Sequence, residues 1–186
     1  MDVDEAPLPR DVDLPSPVVG VVGHIGERID IELLTAVADR GHSLLLVGAH
    51  NPTFEVERIS RLLARPNVVW VGPKEFEQLP SYLRVIDVGL VPYTDSAFNR
   101  ASFPLKTLEY LAAGRAVVAT DLPATRWLNT DFIDIATSPR TFAEAVDRAV
   151  ATPRTAELLR RRQAFAAQHT WTRRAEVFAD ALGLES

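Results

Sequence analysis

Cysteine is absent from the 186 residues, so neither a disulfide nor a thiolate metal centre can help to hold this chain together. Its stability has to come from buried apolar surface. No apolar run is long enough to cross a bilayer and no secretory leader is evident, which makes the cytoplasm the expected compartment. A net charge of −5 sets general nucleic-acid binding aside. There is no G-K-[ST] triplet for a P-loop. What the chain does have is apolar residue, 47% of the total, and at this length that is enough for one good core and one domain.

Residues 1–17 carry five acidic residues and four prolines without periodicity, and read as a flexible linker. From Val18 the pattern becomes regular. Short apolar strands are expected at 18–22, 43–47, 68–71, 88–91, 116–119 and 132–136. Amphipathic helices are expected at 29–40, 54–64, 76–85, from Pro104, from Pro123 and after Pro139. Six buried strands separated by helices predict an α/β domain over residues 18–186, a doubly wound, Rossmann-like parallel sheet covered on both faces. Ligands of such sheets lie beyond the carboxyl ends of the strands, where strand one meets strand four.

The stretch 99–120, NRASFPLKTLEYLAAGRAVVAT, is centred on that place. Pro104 suits the first helical position, which leaves Phe103 at the cap, and a phenyl ring accepts no hydrogen bond from the free amides of Leu105 and Lys106. Open amides and a lysine in a first turn, where the dipole disfavours cations, both suit a bound anion, with phosphate the obvious candidate. Glu109 shares the face of Lys106 and can accept hydrogen bonds from paired ribose hydroxyls. Taken alone, these two residues are more simply a solvated surface pair, with Ser102 as an alternative cap. Leu105, Leu108 and Ala112 form an apolar stripe, Gly114 stops the helix, and a buried strand follows, so the helix is tied to the sheet.

The run P-L-K-T-L-E-Y-L-A-A-G-R-A-V-V-A-T-D-L-P resembles the donor-binding half of the retaining GT-B glycosyltransferases that use nucleotide sugars. The resemblance extends from Val18 to the end of the chain and matches only the second of the two GT-B halves. It implies that Glu109 binds ribose and that Lys106, with the helix start of Phe103, Pro104 and Leu105, holds the diphosphate, so these two side chains are the candidate catalytic pair. Many members carry a second Glu eight residues earlier, contacting the donor sugar. Here that position is Ala101, a loss shared with a subset of the family.

The loop after the first strand, Gly23-His24-Ile25-Gly26-Glu27-Arg28, faces the same crevice. Its G-x-x-G-x-x-G spacing is wrong for a dinucleotide fingerprint, and the second strand ends without an acidic residue for an adenine ribose. By the resemblance, Gly23, His24 and Arg28 contact the diphosphate or the sugar. An exposed histidine and an arginine in a surface pair describe the last two equally well. The backbone at Gly72 and Pro73 would meet the nucleobase. Asp87 reads as a turn cap, Tyr93 to Arg100 as a polar loop with a solvated Arg100, and Trp171 as packing. The arginine-rich tail from Thr155 is a solvated helix face or a surface for anionic lipid.

The resemblance implies a transferase acting with a nucleotide diphosphate sugar, a UDP-sugar by expectation, and needing no cofactor or metal, in keeping with the lack of a D-x-D pair near the site. The acceptor half, expected to be an N-terminal domain, would be missing, leaving this chain inactive alone. The acceptor would be a glycan or a lipid-linked molecule at the inner membrane surface, as in cell-envelope polysaccharide synthesis. Two rival readings are an epimerase of the same fold and a non-enzymatic nucleotide-binding module.

Overall fold

The computed structural model describes residues 3–103 and 105–183. In chain order its elements are β1 (Val18–Val22), α1 (Ile31–Asp39), β2 (Ser43–Val47), α2 (Val56–Leu63), β3 (Val68–Trp70), α3 (Leu79–Val85) and β4 (Val88–Val91). There follow α4 (Ala97–Ala101), α5 (Leu105–Ala112), β5 (Ala116–Thr120), α6 (Pro123–Leu128), β6 (Ile133–Ala136), α7 (Pro139–Ala151), α8 (Ala156–Ala167) and α9 (Trp171–Ala181). The six strands form one parallel sheet in the order β3-β2-β1-β4-β5-β6. This is the doubly wound arrangement expected, with its strand order reversing between β1 and β4.

Alternation along each strand divides the core into two layers. Val19, Val21, Leu44, Leu46, Leu90 and Val118 pack under α1, α2 and α7. Val18, Val22, Leu45, Val47, Val91 and Val117 pack under α3, α5 and α8. With both faces covered, the inner strands carry unbroken apolar runs.

Three departures from the sequence expectation trace to identifiable hydrogen bonds. α1 begins at Ile31 because the Asp30 carboxylate accepts the amide of Glu32. The helix expected over 76–85 splits into a 3-10 turn, Phe76–Gln78, and α3, at a capping box between Glu75 and Gln78. The polar loop expected after β4 contains α4, begun where Ser96 Oγ accepts the amide of Asn99.

Residues 3–17, expected to be a flexible linker, pack along the domain instead. Asp4 accepts from Arg115 Nη2 at 2.7 Å and from Arg154 Nη2 at 2.6 Å, and the Arg115 side chain is fully buried. Asp11 accepts from Lys74 Nζ at 2.7 Å and from the Tyr82 hydroxyl at 2.9 Å. Ala6 is buried, and Val12 and Leu14 lie against the second core layer. Asp87, expected to cap a turn, instead accepts the amide of Val18 at 2.8 Å at the start of β1, a bond across 69 positions.

Candidate functional site

At the carboxyl edge of the sheet the loops after β1, β2 and β3 touch through backbone. The amide of Gly23 donates to Val47 O at 2.8 Å, and that of Gly48 donates to Gly72 O at 2.9 Å. Gly48 has a φ of +140°, and a Cβ there would stand 2.0 Å from Gly23 O, so only glycine allows this approach. Gly23 and Gly72, both expected at the site, are thus linked through a residue to which the sequence reading assigned no role. Pro73 is exposed beside them.

Beyond β4, α5 settles over the seam between β1 and β4. Thr107, Leu108, Tyr110 and Leu111 form its buried face. Tyr110 is the anchor: its hydroxyl accepts the amide of Val22 at 2.8 Å, and its ring occupies the hollow over Gly89, where a Cβ would stand 2.2 Å from the ring. Complete burial pushes the Tyr110 phenol well above its ordinary pKa. With that face fixed, Lys106 and Glu109 lie on the partly exposed side of α5. Lys106 Cε lies 3.8 Å from where a Gly23 Cβ would stand, so the lysine stem runs over the loop after β1. Its ammonium meets Glu109 Oε2 at 2.5 Å.

At the start of α5 the amide of Leu105 donates to Phe103 O at 3.0 Å, and among the described residues no side chain accepts from the amides of Leu105, Lys106 or Thr107. Ser102, the alternative cap, is engaged elsewhere: its hydroxyl accepts from Arg28 Nη2 at 3.1 Å. Pro104 lies outside the described residues. The Phe103 ring packs edge-on against Trp127, at 5.9 Å between centroids.

Arg28 is held in a cage. Its Nε donates to Asn99 Oδ1 at 2.9 Å, and its guanidinium lies 4.7 Å from the Tyr93 ring centre and 4.9 Å from that of Phe98. Asn99, buried, donates in turn to Arg28 O and Thr94 O. The pair therefore locks the loop after β1 to α4, a role for Asn99 that only the Ser96 cap beside it could have hinted at. His24 is exposed, with its ring against Gly26.

Two clefts adjoin these residues. One, of about 220 Å³, lies between α5 and the α8–α9 junction and is lined by Leu105, Leu108, Glu109, His169, Trp171 and Arg174. Trp171, expected to pack, is 72% exposed and walls this cleft. Burial, then the charge of Arg174, lowers the His169 pKa. The other, of about 310 Å³, lies beyond β4, β5 and β6, and there Arg100 forms a two-pronged pair with Asp95 at 2.5 and 2.6 Å. Neither Lys106 nor Glu109 lines it.

The family model described as Glycosyl transferases group 1 matches residues 16–152. The putative teichuronic acid biosynthesis glycosyltransferase TuaH of Bacillus subtilis is 36% identical over 118 residues, which are 62% of this chain and 30% of TuaH. Among solved structures, sucrose-phosphate synthase from Thermosynechococcus elongatus aligns with a TM-score of 0.66 at 26% identity, over 90% of this chain and 47% of that one. Anabaena HepE, solved in complex with UDP, aligns with a TM-score of 0.73 at 20% identity, over 90% and 49%. The chain spans about half the length of these structures and under a third of TuaH.

Proposed function

The chain belongs to the group 1 glycosyl transferases, and from that membership we propose that it is the donor-binding half of an enzyme that moves a sugar from a UDP-sugar to an acceptor. One observation carries this reading. The amide end of α5, which no described side chain caps, lies by the β1–β4 seam, with Lys106 laid over Gly23 and Glu109 beside it. That is where a doubly wound sheet takes its ligand, and a helix end with a lysine fits a diphosphate. HepE supports the choice of UDP, since it shares the fold and was solved with that nucleotide.

In this proposal the diphosphate lies across the amides of Leu105 and Lys106, and the Lys106 ammonium turns from Glu109 to a phosphate oxygen. Glu109, released, accepts from the two ribose hydroxyls, and the backbone around Gly72 and Pro73 meets the base. As the bond from sugar to phosphate breaks, negative charge grows on the leaving diphosphate, and the amides and Lys106 stabilise it without having to reorganise. Transfer proceeds with retention, on an acceptor held by a separate domain. The cage around Arg28 keeps the loop after β1 at the height that lets a phosphate approach Gly23.

Calorimetric titration of UDP into the wild-type chain, Lys106→Ala and Glu109→Ala tests the site. Weaker binding in both variants is expected, and equal affinity in all three proteins overturns the assignment.

A further inference from the structure

Arg174 stands in the first turn of α9, which begins where Thr170 Oγ1 accepts the amide of Arg173. A cation there opposes the helix dipole, the same anomaly that Lys106 presents in α5. Its neighbour Arg173 is matched by Glu176 at 2.7 Å. Arg174 has no carboxylate partner among the described residues, its guanidinium makes no hydrogen bond to them, and Nη2 is buried without an acceptor. An arginine left this way near a cleft is costly unless a ligand supplies the missing oxygens.

Its position says which ligand. The guanidinium is stacked on the Phe103 ring, 4.3 Å from its centre, and Phe103 leads directly into the start of α5. Arg174 also lines the cleft of about 220 Å³ that Leu105 and Glu109 line from the other side. Lys106 and Glu109 cancel one another in the free protein. Without Arg174, the only cation left beside the place where a diphosphate has to dock, among the described residues, would be Arg28, held at Ser102. The aromatic stack fixes the guanidinium at little entropic cost, and its planar fork suits two oxygens of one phosphate.

We infer that Arg174 is a second phosphate-binding cation of the donor site, reaching over Phe103 from the α8–α9 junction to an oxygen of the donor diphosphate. This rests on the nucleotide-sugar reading of the α5 site, so the test separates the two. UDP and uridine are titrated into the wild-type chain, Lys106→Ala, Arg174→Gln and Arg174→Lys, and a melting curve is recorded for each protein. The expected result is UDP affinity at least ten-fold lower in R174Q, largely kept in R174K, with uridine affinity unchanged in both.

If UDP binding depends on Lys106 yet R174Q binds UDP like the wild type, the inference fails and the site reading stands. A lower melting temperature in R174Q with UDP and uridine affected equally makes Arg174 a packing residue and overturns the inference as well. Wild-type protein that binds neither ligand refutes both.

Discussion

Glu109 Oε2 and Lys106 Nζ face one another across 2.5 Å, one helical turn apart on a partly exposed face. Such a pair contributes roughly 0.3–0.5 kcal/mol to a helix, so a ligand separates it at small cost. On the proposed function this geometry is a resting state in which each group holds the place of the other's ligand.

That competition can be measured. Glu109→Gln frees Lys106 from its carboxylate but leaves a weaker partner for ribose. We expect the variant to bind inorganic pyrophosphate about two-fold more tightly, in line with the small worth of the pair, while its affinity for uridine falls. Competition titrations with the two fragments check both directions.

Tyr110 fixes the height of α5 above the sheet, and its hydroxyl is the acceptor for the buried amide of Val22. Tyr110→Phe keeps the ring in the Gly89 hollow and removes only the hydroxyl, which accepts from Val22 and donates to Gly20 O at 3.4 Å. The predicted loss is about 1–3 kcal/mol of stability, read from urea denaturation. A smaller loss of UDP affinity accompanies it as the α5 start loosens.

The same phenol makes the fold sensitive to alkali. Burial raises its pKa in the folded chain far above the ordinary value of 10.0, and burial also raises that of Tyr93. Above pH 10 the unfolded chain releases these protons while the folded chain keeps them. Fewer protons are then bound in the unfolded state, so stability is intact below pH 10 and falls as the pH climbs beyond it. Melting curves between pH 8 and pH 11 should show this decline, and Tyr110→Phe should flatten it.

Much of this architecture was readable before any coordinates. The four inner strands announce themselves as short apolar runs because each is buried on both faces, while the edge strands β3 and β6 expose Trp70 and Ile135, and the run around Lys106 and Glu109 marks the helix at the switch point. Its partners were hidden. Tyr110 lies off the expected stripe of Leu105, Leu108 and Ala112, of which only Leu108 is buried, and its bond to Val22 spans 88 residues. Asn99 works through its side chain on Arg28, 71 positions away, and Gly48 through a close backbone approach to Gly23, and no local pattern encodes either. Prolines and acids made residues 1–17 look unstructured, yet Asp4 meets Arg115 from 111 positions away.

Asp4 supplies the next test. Arg115 is fully buried, and Asp4, with its side chain 40% exposed, accepts from it at 2.7 Å. Stranding a buried charge costs roughly 3–5 kcal/mol when the whole pair is sealed, and less when one partner is wet. Asp4→Asn should therefore lower stability by about 2 kcal/mol in urea denaturation. A loss indistinguishable from zero would return residues 3–17 to the status of a passive linker.

The most direct measurement is a crystal structure of this chain grown with UDP. The account predicts Lys106 Nζ within about 3 Å of a phosphate oxygen at the start of α5, with Glu109 turned to the ribose hydroxyls and the 2.5 Å contact between them broken. UDP seated elsewhere, with Lys106 and Glu109 still joined, would contradict it.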